Sequence, residues 1–246
     1  MRPTLVTWRA LRIPSYVAML YLGLLVGTYS AYAAGRAEGM SGERFIGAIL
    51  ALLVPAVLGA RLAFVASRWP AYRLQPRRIL LPGNEGGAVA YGALVSVPVS
   101  VPLLVALGLP FAAFWDAGAF GFLAAIMFLR IGCLLNGCCC GRTTTSRFGL
   151  DVADAAGARS RRIPTQLLEA GWAAMLLVGA ILVAGRMPFA GALFVSTLAA
   201  YAAGRFLIDF GRDAPRKLGP LTVAQACSAG FVLLSVPVLV VAAWMV

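Results

Sequence analysis

Apolar residues in this chain come in long blocks rather than at every second or third position. Seven blocks stand out, at roughly 13–34, 45–67, 87–110, 117–139, 165–185, 188–210 and 221–244. Each approaches or exceeds the span of about 20 apolar residues that crosses a bilayer as a helix. Glycine and proline interrupt some of them, as in LVSVPVSVPLLV and LSVPVLVV, which membrane helices tolerate better than soluble ones. None alternates with period two, so a β-barrel is not expected. Trp69, Trp115 and Trp244 fall near block ends, where aromatic anchors sit at the membrane interface. The pattern predicts an all-α integral membrane protein, a bundle of about seven transmembrane helices forming a single polytopic domain over residues 1–246.

Composition points the same way. The chain is 61% hydrophobic and 12% charged, whereas soluble domains carry about a quarter charged residues. The first block is long enough to span and no clear small-residue cleavage site follows it, so a cleaved signal peptide is not expected.

Charge adds a question of orientation. The net charge is +12 with no histidine. No basic, aromatic-interleaved stretch is present, so nucleic acid is not an expected partner; topology or anionic membrane lipid explains the loop bases. With seven spans, the side of the N-terminus collects most arginines, among them Arg68, Arg73, Arg77, Arg78 and Arg159, while Arg36, Arg44 and Arg186 lie opposite. The positive-inside rule alone would put the N-terminus in the cytoplasm.

Three arginines are set inside apolar blocks: Arg61, Arg130 and Arg205. Each costs about 2.5–3.5 kcal/mol on insertion scales and therefore wants a partner or a polar cavity. In GRFLIDFGRD, Arg205, Asp209 and Arg212 share one helical face by four- and seven-residue spacing. Either they form a helix-end ion pair, or the surplus positive charge suits a phosphodiester, which guanidinium groups bind through paired hydrogen bonds. RIPTQLLEAGW starts a helix with Pro164, and Gln166 and Glu169 fall on one face near the boundary. A solvated first-turn acid is the simpler account of Glu169. In LLPGNEGGAVAYGAL, Glu85 stands before a span as a loop acid, and Gly86 with its neighbours permits close backbone approach.

The densest polar stretch is FLRIGCLLNGCCCGR. If the helix continues through it, Arg130, Cys133, Gly137 and Gly141 fall on one side. Its cysteines fit four readings: metal ligation, a structural disulfide, a nucleophile beside arginine, or small packing residues. Metal is disfavoured by consecutive cysteines and the absence of histidine.

Taken in order, these segments resemble the prolipoprotein diacylglyceryl transferase family. RIGCLLNGCCCGR matches without a gap its Arg-x-Gly-Asn-Phe-x-Asn-Gly-Glu-x-x-Gly-Arg signature; IPTQLLEA resembles its Pro-(Ser/Thr)-Gln-Leu-Tyr-Glu. GRFLIDFGRD is similar to its Arg-Phe-x-x-Glu-x-x-Arg, and LTVAQACS to a later glutamine-bearing helix start. IPSYVAMLYLGLLVG resembles the opening helix with its tyrosine at Tyr16, and GARLAFVASRWP the arginine-bearing end of the second span at Arg61. Glu85 and Gly86 occupy the family's His-Gly-Gly segment, Cys133 and Cys138 replace its signature asparagine and glutamate, and Asp209 stands for glutamate.

The resemblance implies seven membrane helices and transfer of the diacylglyceryl group of phosphatidylglycerol to the lipobox cysteine thiol of a lipoprotein precursor, with glycerol phosphate released. The expected partners are therefore phosphatidylglycerol, the precursor peptide and membrane lipids; no cofactor or metal is expected. Arg130 and Arg205 are assigned to the headgroup, with Asn136, Gly141 and Arg142 shaping the pocket and Gln166, Glu169 and Arg212 supporting it. The substitutions bring Cys133 and Cys138 into the same pocket, beside Tyr16, Arg61 and Gly86. With no histidine, Glu85 or Asp209 is left to take the thiol proton. A different acceptor, an anionic-lipid-binding protein without turnover, and a transporter are the competing readings. The family places the N-terminus and the site on the outer side of the bacterial inner membrane, against the arginine bias, and the expectation follows the family.

Overall fold

The computed structural model describes residues 4–8, 11–67, 69–73, 95–153, 159–213, 217–218 and 220–244. In chain order it contains β1 (Thr4–Trp8), β2 (Leu11–Pro14), α1 (Ser15–Ala37), α2 (Gly42–Ser67), the single turn α3 (Trp69–Tyr72) and α4 (Ser96–Leu107). There follow α5 (Phe111–Leu135), β3 (Leu150–Ala153), β4 (Arg159–Arg162), α6 (Thr165–Val183), α7 (Ala192–Asp209), β5 (Lys217–Leu218), β6 (Leu221–Thr222) and α8 (Val223–Trp244). Each strand pair is a small antiparallel hairpin. Among the described residues six helices are long and apolar enough to cross a membrane, and α4 is a seventh, shorter apolar helix. The chain is a multi-pass helical membrane protein. Its outward surface agrees: Leu25, Leu207 and Leu233 are each at least 67% exposed, as lipid-facing side chains are.

Three expected boundaries move. The described part of the third block ends at Leu107, because Gly108 turns left-handed (φ 65°) and its N–H closes the helix on Leu104 and Val105. The next helix then begins at Phe111, directly after Pro110, rather than near residue 117. It also stops at Leu135, so the helix does not run on through the cysteines.

The described residues form two compact units, one of Met1–Ala34 with Trp115–Val246 and one of Gly35–Phe114. In the first, α1 and α5 cross at backbone contact. A Cβ on Gly27 would lie 2.7 Å from the Gly121 carbonyl oxygen, and one on Gly23 would lie 2.9 Å from that of Ala125. Small residues four apart are what allow two membrane helices this approach. Gly27→Leu is therefore expected to destabilise the protein by about 1–3 kcal/mol; an unchanged thermal midpoint in detergent would count against the contact.

Elsewhere in this unit Leu123, Ile126, Ala173, Leu193 and Tyr201 form a buried core. The Trp172 ring fills the space at Gly204, where a Cβ would stand 2.2 Å from the indole nitrogen, and that N–H donates to the Ala200 carbonyl at 3.1 Å. Asp116, an acid in an apolar helix, accepts the backbone N–H groups of Gly191 (2.6 Å) and Phe194 (2.8 Å). It thus satisfies donors that the start of α7 leaves open.

In the second unit α2 packs beside α4. Phe45 is buried against Gly35 and lies 4.9 Å, centroid to centroid, from Phe114. Arg61 is placed over the rings of Phe64 (5.6 Å) and Tyr72 (5.8 Å), where cation–π attraction offsets part of its cost in the membrane.

Candidate active site

The polar stretch after α5 is shaped by how that helix ends. Gly137 adopts φ 70°. The N–H of Cys138 returns to the Cys133 carbonyl at 3.1 Å and that of Gly137 to Leu134 at 3.2 Å. These two bonds define a Schellman end, in which the third residue from the helix terminus meets the second residue beyond it. Here those residues are Cys133 and Cys138. Cys139 follows with φ 59°, a left-handed conformation that non-glycine residues rarely adopt, and its thiol joins theirs. The sulfurs of Cys133, Cys138 and Cys139 lie within 4.8 Å of one another. Hydrogen bonds from Cys133 and Cys138 hold the Cys139 thiol below its ordinary pKa, with Arg212 and Arg130 adding to the effect. Cys140 is turned away and buried, its sulfur beside the Gly137 carbonyl (3.4 Å) and the Gln166 amide nitrogen (3.5 Å).

Residues 140–144 then run as a strap between two other backbone segments. Gly141 N–H donates to Ile163 O (3.2 Å), Arg142 N–H to Gly211 O (2.9 Å) and Thr144 N–H to Arg161 O (2.9 Å). Ile163 N–H returns to Arg142 O at 3.0 Å, and Asp213 N–H to Cys140 O at 3.3 Å. Gly141 sits where the segments are closest, and a Cβ there would meet Ile163 O at 2.3 Å and Gly211 O at 2.9 Å. The first turn of α6 completes the arrangement: Thr165 Oγ1 donates to Cys139 O (3.1 Å) and Gln166 Nε2 to Cys138 O (2.8 Å).

At the centre is Glu169, 1% exposed. Its Oε1 accepts from Tyr201 Oη (2.8 Å), pairs with Arg130 Nη2 (2.9 Å) and is bonded by Arg205 Nη1. Its Oε2 takes Arg212 Nη2 at 3.2 Å. One carboxylate from α6 therefore gathers guanidinium groups from α5, from α7 and from the turn after α7. Asp209 is buried, pairs with Arg212 Nη1 at 3.6 Å and accepts the Thr222 hydroxyl. Thr222 and Gln225 form a reciprocal capping box at the start of α8, with bonds of 2.9 and 3.1 Å. Three buried polar atoms have no hydrogen-bond partner among the described residues: Arg130 Nε, Arg212 Nε and Gln166 Oε1. Two guanidinium donors left open beside a surplus of positive charge suit an anionic oxygen ligand.

The family model for prolipoprotein diacylglyceryl transferase matches residues 3–241. The chain belongs to that family. Among its relatives, phosphatidylglycerol–prolipoprotein diacylglyceryl transferase 2 of Clostridium perfringens is 29% identical over 233 residues, covering 89% of this chain and 86% of the relative. The phosphatidylglycerol–prolipoprotein diacylglyceryl transferase of Bacillus mycoides is 29% identical over 238 residues, covering 92% of this chain and 86% of the relative. That of Bacillus cereus strain ATCC 14579 is 28% identical over 238 residues.

Most of the site residues expected from the family resemblance come together. Arg130, Cys133, Cys138, Gly141, Gln166, Glu169, Arg205, Asp209 and Arg212 are joined by the contacts above. Tyr16 lies in the first turn of α1 beside Gly132, whose Cβ would stand 3.5 Å from the Tyr16 Cα. Asn136 is exposed at the end of α5, and the exposed Arg142 directs its Nε to the Arg212 carbonyl (3.3 Å). Arg61 belongs to the other compact unit, and Glu85 and Gly86 lie outside the described residues.

Two expectations from the sequence change in detail. Glu169 is a buried hub rather than a solvated first-turn acid. Asp209 compensates Arg212, while Arg205 turns to Glu169, because α7 ends at Asp209 and Arg212 approaches from the turn beyond it. Tyr201 was not singled out by the sequence, although its position four residues before Arg205 places it on the same face. Thr222 was likewise passed over; its signal was the Thr-x-x-Gln pattern at a helix start.

Proposed function

We propose that this chain transfers the diacylglyceryl group of phosphatidylglycerol to the lipobox cysteine thiol of a lipoprotein precursor and releases glycerol phosphate. It does so in the bacterial inner membrane with its site toward the outer face, residues 1–246 working as one membrane domain. The observation that carries the reading is the three-arginine cluster on Glu169 with its open Nε donors.

The reaction is a displacement at a glycerol carbon. The acceptor sulfur supplies the electron pair for the new C–S bond, and the C–O bond to phosphate breaks with its pair going to the leaving oxygen. Arg130 and Arg205 are the catalytic residues. Held in place before the reaction by Glu169, they face the charge that grows on the leaving phosphate, in a site where low dielectric strengthens the interaction. Tyr201, Gln166 and Arg212 are positioning residues that act through Glu169 and the cysteine turn. Gly141, Asn136 and Arg142 form the rim of the headgroup pocket, with Tyr16 at its α1 side. Asp209 is engaged by Thr222 and Arg212, and Glu85 is the second carboxylate we assign to relay the thiol proton to water.

Purified protein in phosphatidylglycerol-containing micelles is expected to add a diacylglyceryl mass to a lipobox-cysteine peptide and not to its serine counterpart. Arg130→Ala and Arg205→Ala should each slow this by about 10²–10³-fold, the usual cost of losing one preorganised charge-stabilising donor. Absence of any mass gain with the wild-type chain would overturn the reading.

A further inference from the structure

We propose that Cys133, Cys138 and Cys139 form a three-thiolate site for one soft divalent cation of the zinc class, with its fourth position open to the acceptor thiol.

Consecutive cysteines and a missing histidine argue against a metal when the sequence is read alone. The folded turn answers that objection, because it does not use three consecutive residues. Cys133 comes from the last turn of α5, Cys138 is returned to it by the Schellman end, and Cys139 is folded over both by its left-handed backbone. The backbone cost of that conformation for a non-glycine residue falls at the one position that brings in the third sulfur. Cys140, next in sequence, faces Gln166 and takes no part.

The geometry fits an ion. Sulfurs held at about 2.3 Å from a tetrahedral zinc stand about 3.8 Å apart, and these three already lie within 4.8 Å of one another. Closing on an ion therefore requires shifts of less than about 1 Å. All three ligands are soft sulfur, the donor type that favours zinc and its soft relatives over magnesium or calcium. Three thiolates and a divalent ion carry one net negative charge. Positive charge stands ready for it: Arg130 lies three residues before Cys133, and Arg212 is bridged to Gly141 at the end of the cysteine turn. Three protein ligands with an open fourth position are the mark of catalytic rather than structural zinc.

The open position has a use that rests on the transferase reading. Cys133 is buried while Cys139 is exposed, so the site is accessible from the Cys139 side. A thiol that coordinates such an ion loses its proton, which passes to water. The acceptor sulfur then forms the C–S bond to the glycerol carbon, and glycerol phosphate departs with the electron pair of the broken C–O bond. The ion binds the thiolate form of all three cysteines. This gives a chain without histidine a means of presenting a thiolate.

The test is anaerobic titration of the reduced full-length protein in micelles with cobalt(II) as a coloured stand-in for zinc. One ion per chain is expected, with thiolate-to-cobalt charge-transfer bands and the strong ligand-field bands of a tetrahedral site, both displaced by zinc(II). Cys133→Ser, Cys138→Ser and Cys139→Ser should each lose stoichiometric binding, and Cys140→Ser and Cys227→Ser should keep it. The lipobox-cysteine peptide should shift the bands, and the serine peptide should not. Failure to bind, or binding that survives Cys133→Ser or Cys139→Ser, overturns the site; bands indifferent to the cysteine peptide overturn the open position. A cobalt site of the expected kind without lipidation would defeat the transferase reading alone. Lipidation that persists without any metal site would defeat this proposal alone.

Discussion

Glu169→Gln is expected to abolish lipid transfer and to destabilise the protein by about 3–5 kcal/mol, the cost of stripping the counter-charge from a buried ionic group. The substitution keeps the shape of the side chain and removes only its charge. Arg130, Arg205 and Arg212 would then converge on a neutral amide, with Arg130 only 8% exposed. Glu169→Asp should be milder for stability yet still inactive, because a side chain shorter by one methylene cannot reach all three guanidinium groups and Tyr201 at once. The check is thermal unfolding in micelles alongside the lipidation assay. A Glu169→Gln protein that unfolds at the wild-type temperature would show that the three arginines have other compensation.

Gly141→Ala should reduce transfer by about 10²-fold, the scale set by a displacement of about 1 Å in a catalytic arrangement. The added methyl group would meet carbonyl oxygens of two separate segments, at 2.3 Å on the Ile163 side and 2.9 Å on the Gly211 side. Both oxygens belong to backbone, so neither can swing aside as a flexible side chain would. The strap must lift, and the bonds from Gly141 to Ile163 and from Arg142 to Gly211 go with it. The membrane helices lie outside this contact, so helical content by circular dichroism should be retained while activity falls. Gly171→Ala on α6, where nothing lies within 4 Å of the new methyl, is the matched control and should be silent. Equal activity in the two variants would mean that the strap does not shape the site.

The spans were legible because the length of an apolar run is a direct physical requirement of the bilayer. Their ends were less so. The fourth block looked continuous to residue 139, yet Gly137 closes α5 at Leu135; hydropathy counts cysteine and leucine alike and does not register a left-handed glycine. Arg130 and Arg205 announced themselves by their cost in the membrane. Glu169 did not, because a glutamate near a helix start is ordinary on a surface, and only folding brings residues 39 and 36 positions away onto its oxygen. The cysteine cluster was obscured by its own density: the run of three drew notice, while the informative spacing was from Cys133 across Gly137 to Cys138.

The meeting of three arginines on Glu169 also sets an order of events during synthesis. Ribosomes deliver α5 before α6, so Arg130 reaches the membrane before its counter-ion has been translated. Insertion of α5 must then rest on its own apolar residues, which have to outweigh one bare guanidinium. The ionic knot closes only after α6 and α7 have followed, which makes Glu169 a late latch on a bundle whose helices are already in the bilayer. A ribosome-stalled chain ending before Glu169 would carry Arg130 unpaired by it, and would be the form most exposed to quality-control proteases.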